Sequence, residues 1–573
     1  MEDDWKYEMP SNTGSHIQTV KNSLPEASWV NFFAILAFFC IATRIISGVR
    51  GRQRVQDPAE PRSTRLAPYW FPWFGNSPFF AWNHASLFES LRDSMDESVF
   101  GIYMRGETHN TVISPSMTKS ILSSHNATST LALDQALQNV FGNRSLLQTL
   151  QQTSNSEISD DVPGMLNKES FVNDASTAIT SLIKRNIPNL VTFSKSLVDQ
   201  TPWERDSLVS LDEENQSLCE ANLFALVRNF VGHNMSTFLM GEAFLENFPM
   251  VIEDLWKLDT SFVTLFVGTS RAFPSPRVSG GYSTRDKLIH ITSVFHRAFC
   301  AVDDGIDPGL ELRDLDDVSE LVKERMRTFR KLDLTANASA AGHLSLYWDI
   351  LEHISKITFW TVLHIFADSA LLEEIRKEFS PCVKSSRPTR EETGFPFDEP
   401  PRLSLDLEKV LDSCPLFKAC YLETIRLHSV GVSFRKLESD LTLTESANDA
   451  TEPRSYKMRK GENVIMPHVA YQTDPRRFSN PDQYDPLRFI VTDPASGGKK
   501  VDANILGPIA EGLYGAKDNK FYEGTILAFT AGIVSMWNIT STDGKDLKIP
   551  KNWPTWGSSQ PARDIRVNLK PTV

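Results

Sequence analysis

The sequence predicts a mainly α protein with small β-sheets, carried behind an N-terminal membrane anchor. Three observations point there. Residues 29–46 form an almost unbroken apolar run. Leu344, Tyr347, Leu351, Ile354, Thr358, Val362 and Ile365 recur at helical spacing, in the longest periodic stretch of the chain. Short strand-like segments bounded by turn residues stand near both ends.

Residues 1–28 are a polar tail. The run 29–46 is slightly short for a span, which wants about 20 apolar residues, but Arg44 can snorkel and let Ile45 and Ile46 count. Arg44, Arg50, Arg52 and Arg54 follow the run, and Glu2, Asp3, Asp4 and Glu26 precede it. This charge bias puts the bulk of the chain on the cytosolic side of a single-pass membrane protein. Residues 47–78 are a basic, proline-rich linker and hinge, ending in the aromatic stretch from Tyr69 to Phe74. Residues 79–573 read as one large domain, with no internal linker to divide them.

Within that domain, helices are predicted over 82–95, from Pro115 to about Leu150, 205–245, 283–300, 343–367 and 369–380. Phe100–Tyr103 and Thr111–Ile113 read as a hairpin around Gly106 and Asn110. Phe262 to Gly268 reads as an apolar segment running into a Pro/Gly-rich loop, and 381–403 as a polar loop. The net charge of −13 at pH 7 argues against a nucleic-acid partner. Six sparse cysteines argue against a disulfide scaffold and for a reducing compartment.

The chemistry-bearing residues lie toward the C-terminal end. Pro415 opens a helix containing Glu423 and Arg426, three apart on one face, with Leu416, Cys420 and Leu427 beside them. Phe434 and Arg435 follow, then Val464 to Pro467, then Asp474-Pro475, Phe478, Pro481, Asp485-Pro486 and Arg488-Phe489. This succession resembles the cytochrome P450 family: a Glu-x-x-Arg helix, a small sheet, a meander and a Pro-x-Arg-Phe segment. Phe359-Trp360 and the aromatic hinge resemble the fungal branch related to sterol 7-alpha-hydroxylase and prostacyclin synthase.

The resemblance implies that Arg488 joins Glu423 and Arg426 in a structural triad, and that Arg435 reaches a haem propionate if haem is bound. It also implies a loop of form Phe-x-x-Gly-x-x-x-Cys-x-Gly ahead of a helix, here Thr525 to Phe529. Counting back from that helix, the cysteine position is Ala516. Ala510 and Glu511 replace loop glycines, and Lys517, Asp518 and Asn519 stand at the Pro-Gly-Arg positions. An alanine offers iron no lone pair, so the thiolate push on bound oxygen is lost. Tyr514, Tyr522 and Lys517 are the nearest substitute donors. At the oxygen-activating midpoint of the central helix the chain has Glu352-His353-Ile354-Ser355, which makes Glu352 and His353 acid–base candidates.

Two classes of function follow. One is a membrane-anchored P450-like protein without thiolate haem, acting as a cyclase or isomerase on an apolar terpenoid, polyketide or alkaloid, or as an inactive partner of another pathway enzyme. The other is a haem-dependent monooxygenase served by NADPH-P450 reductase. The resemblance places either one at the endoplasmic reticulum.

Overall fold

The computed structural model describes residues 26–51, 61–95, 97–124, 127–128, 130–143, 165–211, 218–394, 400–446, 453–494, 497–511, 520–553 and 555–573. The helices that build the domain are α1 (Glu26–Gly51), α2 (Ser77–Met95), α3 (Pro115–Leu122), α4 (Thr130–Asn139), α5 (Glu169–Asn186) and α6 (Leu223–Met240). They continue with α7 (Val251–Phe266), α8 (Pro276–Asp303), α9 (Glu320–Lys331), α10 (Ala336–Ala367), α11 (Ser369–Phe379), α12 (Pro415–His428) and α13 (Lys520–Met536).

Helix α10 is the axis. Its N-terminus is capped by Thr335, whose hydroxyl accepts from the Ala338 amide. Its 32 residues extend about 48 Å. It is buried from Ala338 through Phe366 on nearly all sides and packs on α6, α8, α12 and α13. A helix apolar around its circumference must be enclosed in this way.

Six strands form the larger sheet: β1 (Arg65–Leu66), β2 (Val99–Met104), β3 (Glu107–Val112), β4 (Ala127–Thr128), β5 (Val432–Leu437) and β6 (Asn463–Pro467), in the order β1-β2-β3-β6-β5-β4. Val464 of β6 pairs antiparallel with Arg435 of β5 and parallel with Asn110 of β3. The β2–β3 turn is Arg105-Gly106, both at positive φ (48° and 92°), which suits the right-handed twist of a tight hairpin. A second sheet orders Trp537–Ser541, Arg566–Pro571, Cys219–Asn222 and Ser210–Leu211. The segment preceding Arg566 also caps α6, since Asp564 accepts from the amides of Phe224 and Ala225 at 2.8 and 3.0 Å.

Four expectations are corrected. The helix expected over 205–245 begins at Leu223, because 210–211 and 219–222 are drawn into the second sheet. The helix expected from Pro115 stops at Leu122 and resumes at Thr130, with β4 between. Phe262 and Phe266 are not loop residues; they close α7 and are buried, and the loop begins at Val267. The loop 381–403 contains a two-stranded hairpin, Val383–Ser386 with Arg402–Leu405.

Among the described residues one helix, Trp29–Val49, is long and apolar enough to cross a membrane. Its side chains are mostly exposed, which sets it apart from a core helix. Its C-terminal end is tied to the hinge. Arg44 donates to the Pro68 carbonyl at 2.5 Å and lies over the Trp70 ring, and Ser47 accepts from the Tyr69 amide at 3.1 Å.

Candidate functional site

The fold brings Glu423, Arg426 and Arg488 together. Arg426 donates to both carboxylate oxygens of Glu423, at 2.7 and 2.8 Å, and Arg488 Nε reaches Oε1 at 3.3 Å. The Asp485 amide adds a fourth donor at 2.9 Å. Arg426 also holds the carbonyls of Gln472 and Gln483, at 2.8 and 3.3 Å, and covers the Phe478 ring. These bonds pin the segment 472–488 against α12. All of Glu423 and the guanidinium of Arg426 are out of water.

Glu352 and His353 are fully enclosed rather than solvated, because α6, α7 and the turn at residues 555–559 close over this part of α10. Glu352 Oε1 accepts from Lys356 Nζ at 3.0 Å and from the Ser558 amide at 2.8 Å. Lys356, also fully buried, pairs with Asp259 of α7 at 2.8 Å and donates to Thr555 Oγ1 at 2.7 Å. Burial pushes the Glu352 carboxyl up to about 8; Lys356 pulls against this and Asp259 adds to it. Glu352 Oε2 is buried and has no hydrogen-bond partner among the described residues. Two donors on Oε1 and none on Oε2 are the pattern of a protonated carboxyl, with the carbonyl oxygen at Oε1 and the hydroxyl at Oε2.

His353 is the opposite case. Burial, with Lys356 nearby, pushes it down to about 3, and Nδ1 bonds Ser558 Oγ at 3.1 Å. It is a neutral imidazole at any physiological pH. Tyr522, at the start of α13, meets it edge to face with centroids 5.2 Å apart. Burial holds the Tyr522 phenol well above its ordinary range, and its hydroxyl meets Asp349. This tyrosine is therefore not a phenolate.

Aromatic rings wall the region. Trp348, one turn before Glu352, stacks on Phe262 at 4.1 Å and donates Nε1 to Asp259 at 3.2 Å. Trp556 packs on Phe266 at 4.2 Å and stacks with Phe434 at 5.9 Å. On the same helix Trp360 stacks on His428 at 3.9 Å, and His364 and His428 share a 2.8 Å Nε2–Nε2 contact.

Arg435 is largely buried on β5 and donates to the neighbouring Phe434 carbonyl at 2.8 Å. Tyr514, Ala516 and Lys517 lie outside the described residues. The described cysteines sit on other elements: Cys420, for example, is buried on α12 beside Tyr484. No group of three or more His, Cys, Asp or Glu among the described residues is placed to hold a metal ion.

Sequence reasoning missed Lys356, Asp259, Thr555 and Ser558. Lys356 carried a signal, as a lone ammonium between Ile354 and Ile357 inside a helix apolar on every side. Its partners come from segments that nothing local connects to it.

Comparison with known proteins agrees with this architecture. Residues 354–502 match the cytochrome P450 family. The 25-hydroxycholesterol 7-alpha-hydroxylase of Rattus norvegicus is 24% identical over 259 residues, covering 44% of this chain and 59% of that protein. The prostacyclin synthase of the same species is 22% identical over 188 residues, covering 32% and 34%. Both are matched over less than two thirds of their own length. Cytochrome P450 monooxygenase poxD of Penicillium oxalicum is 20% identical over 526 residues, covering 90% and 93%. The chain is thus similar to the cytochrome P450 superfamily over its C-terminal part and, distantly, to the sterol-hydroxylase and prostacyclin-synthase branch of it.

Proposed function

We propose that this chain is a membrane-anchored protein of P450 fold that works without thiolate haem, as an acid-catalysed isomerase or cyclase of an apolar small molecule. The observation that carries this reading is the Glu352 carboxyl: fully buried, pushed up to about 8 by that burial, and with Oε2 unpartnered among the described residues. An acid in that state still carries its proton near neutral pH and is available as a general acid, which a water-exposed carboxylate is not. Trp348, Phe262 and Trp556 supply ring faces that favour a developing carbocation.

Haem suits these residues poorly. An iron ligated from the loop before α13 and serving the midpoint of α10 needs its porphyrin between the two. A flat ring sandwiched there separates its neighbours by roughly 7 Å, two van der Waals contacts. Tyr522, near the start of α13, and His353, on α10, meet directly with ring centroids 5.2 Å apart. Ala516 adds no donor. In the haem-dependent alternative, Arg435 would hold a propionate and NADPH-P450 reductase would be the partner.

The substrate we assign is a terpenoid or related product of fungal secondary metabolism, and the similarity to the Penicillium oxalicum monooxygenase over nine tenths of the chain supports the fungal placement. The domain faces the cytosol from the endoplasmic reticulum membrane, held by α1. The test has two arms on the purified full chain. Absorption spectroscopy with haem quantification is expected to show no Soret band; a thiolate-type band in the reduced carbon monoxide complex overturns the haem-free reading. Incubation of polyenes and their epoxides in D2O is expected to give isomers carrying deuterium, without oxygen uptake, and E352Q abolishes this. Turnover equal in E352Q removes Glu352 from the chemistry. No turnover of any apolar candidate, with haem also absent, favours the inactive-partner role.

A further inference from the structure

The acid alone does not explain why Lys356 is buried beside it. An ammonium taken fully out of water is expensive unless each of its protons is engaged. Here Glu352 Oε1 and Thr555 Oγ1 accept hydrogen bonds at 3.0 and 2.7 Å, and Asp259 Oδ2 supplies an ion pair at 2.8 Å. They come from α7, from α10 itself and from the turn after residue 554. Thr555 is fixed in its turn by a hydrogen bond to the Ser558 carbonyl, and Ser558 returns its amide to Glu352 Oε1. Among the described residues Glu352 Oε2 has no hydrogen-bond partner, while Asp259 Oδ2 is held by its ion pair with Lys356 rather than by an aligned hydrogen bond.

We propose that Lys356 is the positioning residue of this site: it holds Glu352 by Oε1, so that the transferable proton stands on Oε2, and it neutralises the carboxylate once that proton has left. The inference rests on the acid–base reading above. In the step, the Oε2–H bond breaks as a C–H or O–H bond forms on the substrate. The π pair of the alkene forms the new C–H bond; with an epoxide, an oxygen lone pair forms the O–H bond and the C–O pair passes to oxygen as the ring opens. Lys356, still cationic, then faces a full carboxylate at 3.0 Å. Loss of a proton from a carbon next to the cation back to Oε2 restores the acid, so nothing is oxidised or reduced.

The groups facing Glu352 are few. Lys356, His353 and Asp349 are on α10, Asp259 on α7 with Arg228 of α6 behind it, Tyr522 on α13, and Thr555 and Ser558 on the turn. His353 is neutral and Tyr522 is a phenol; of the charged groups named, Lys356 and Asp259 are the ones that act on the Glu352 carboxyl directly.

Infrared difference titration of the full chain, with E352Q subtracted, reads the pH at which the Glu352 carboxyl ionises. Removing a cation at contact distance moves a carboxyl by roughly one to three pH units. K356M is therefore expected to ionise at higher pH than the parent protein, D259N at lower pH, and K356R close to the parent value. An unchanged titration in K356M, or shifts of the same sign in K356M and D259N, overturns the proposal. If K356M does not fold, the sign of the D259N shift and the K356R value decide it. The readout needs no substrate. Normal titration shifts without deuterium incorporation leave Lys356 as the positioning group and refute only the isomerase reading.

Discussion

Replacing Arg426 by methionine tests the tie between α12 and the segment that follows β6. Methionine keeps the apolar stem and deletes the guanidinium. Glu423 then loses its two bonds at 2.7 and 2.8 Å and keeps the Asp485 amide and one 3.3 Å contact from Arg488. The carbonyls of Gln472 and Gln483 lose their donor as well. Breaking a buried ion pair from one side costs about 3–5 kcal/mol, because the remaining charge stays out of water. Arg488 is a weaker partner of Glu423, so R488M should cost only about 1–2 kcal/mol. Hydrogen exchange with mass spectrometry on the detergent-solubilised chain measures this locally, in peptides spanning 415–428 and 472–489. A loss of 3 kcal/mol raises exchange through local opening by on the order of a hundredfold. Equal protection in R426M and the parent protein refutes the reasoning. So does equal loss in R426M and R488M, since the geometry ranks them.

Stability should also respond to pH from both sides. Glu352 has a folded value near 8 against an ordinary 4.5, so its contribution is complete below pH 4.5 and is lost as pH rises through about 8; thermal midpoints measured from pH 5 to 9 should fall more in the parent protein than in E352Q. The buried histidines act in the opposite sense. His84 and His468 are pushed down to about 4 and His364 to about 3 by burial, so the stability they lend is present above pH 6.5 and is lost as pH falls toward those values. His84 donates to the Val430 carbonyl, and H84Q, which keeps a donor but cannot charge, should move the acid unfolding midpoint to lower pH. At the crossing of α7 and α8, a Cβ on Gly281 would lie 2.7 Å from Ser261 Cβ. G281A should lower the thermal midpoint by the equivalent of about 1–3 kcal/mol of overpacking, despite alanine's better helix propensity.

What the sequence made legible was whatever its own neighbourhood determines. The α10 periodicity and the Glu423–Arg426 spacing each lie within one element and are found where the pattern put them; the hairpin is there too, but its turn is Arg105-Gly106, and Asn110, read as part of the break, sits inside β3 opposite Gly101. Strands of two to four residues have too few positions to show alternation. Ser210–Leu211 and Cys219–Asn222 are strands because Arg566–Pro571 lies beside them, and the stretch read alone looked helical. Phe262 was misassigned because Gly268 and the prolines beyond it suggested a loop, while helix packing on α10 keeps the segment helical to Phe266. The acid pair shows the same limit in chemistry. Helix position identified Glu352 and His353, yet what separates them, a raised carboxyl and a suppressed imidazole, comes first from burial under distant segments, with Asp259 pushing the carboxyl further up and Lys356 pushing the imidazole further down.

The stretch from Thr555 to Pro571 has a consequence for how the molecule is made. It supplies the turn that locks Lys356 and Glu352, the Asp564 cap of α6, and the strand that joins Trp537–Ser541 to Cys219–Asn222. A ribosome delivers these residues after every partner they serve. Until then α6 has an uncapped amino end, the second sheet lacks its middle strand, and a lysine and two carboxylates stand in the half-built interior without their full set of bonds. The growing chain therefore completes these contacts only at the end of its synthesis, and a truncation near residue 550 would leave them unmade.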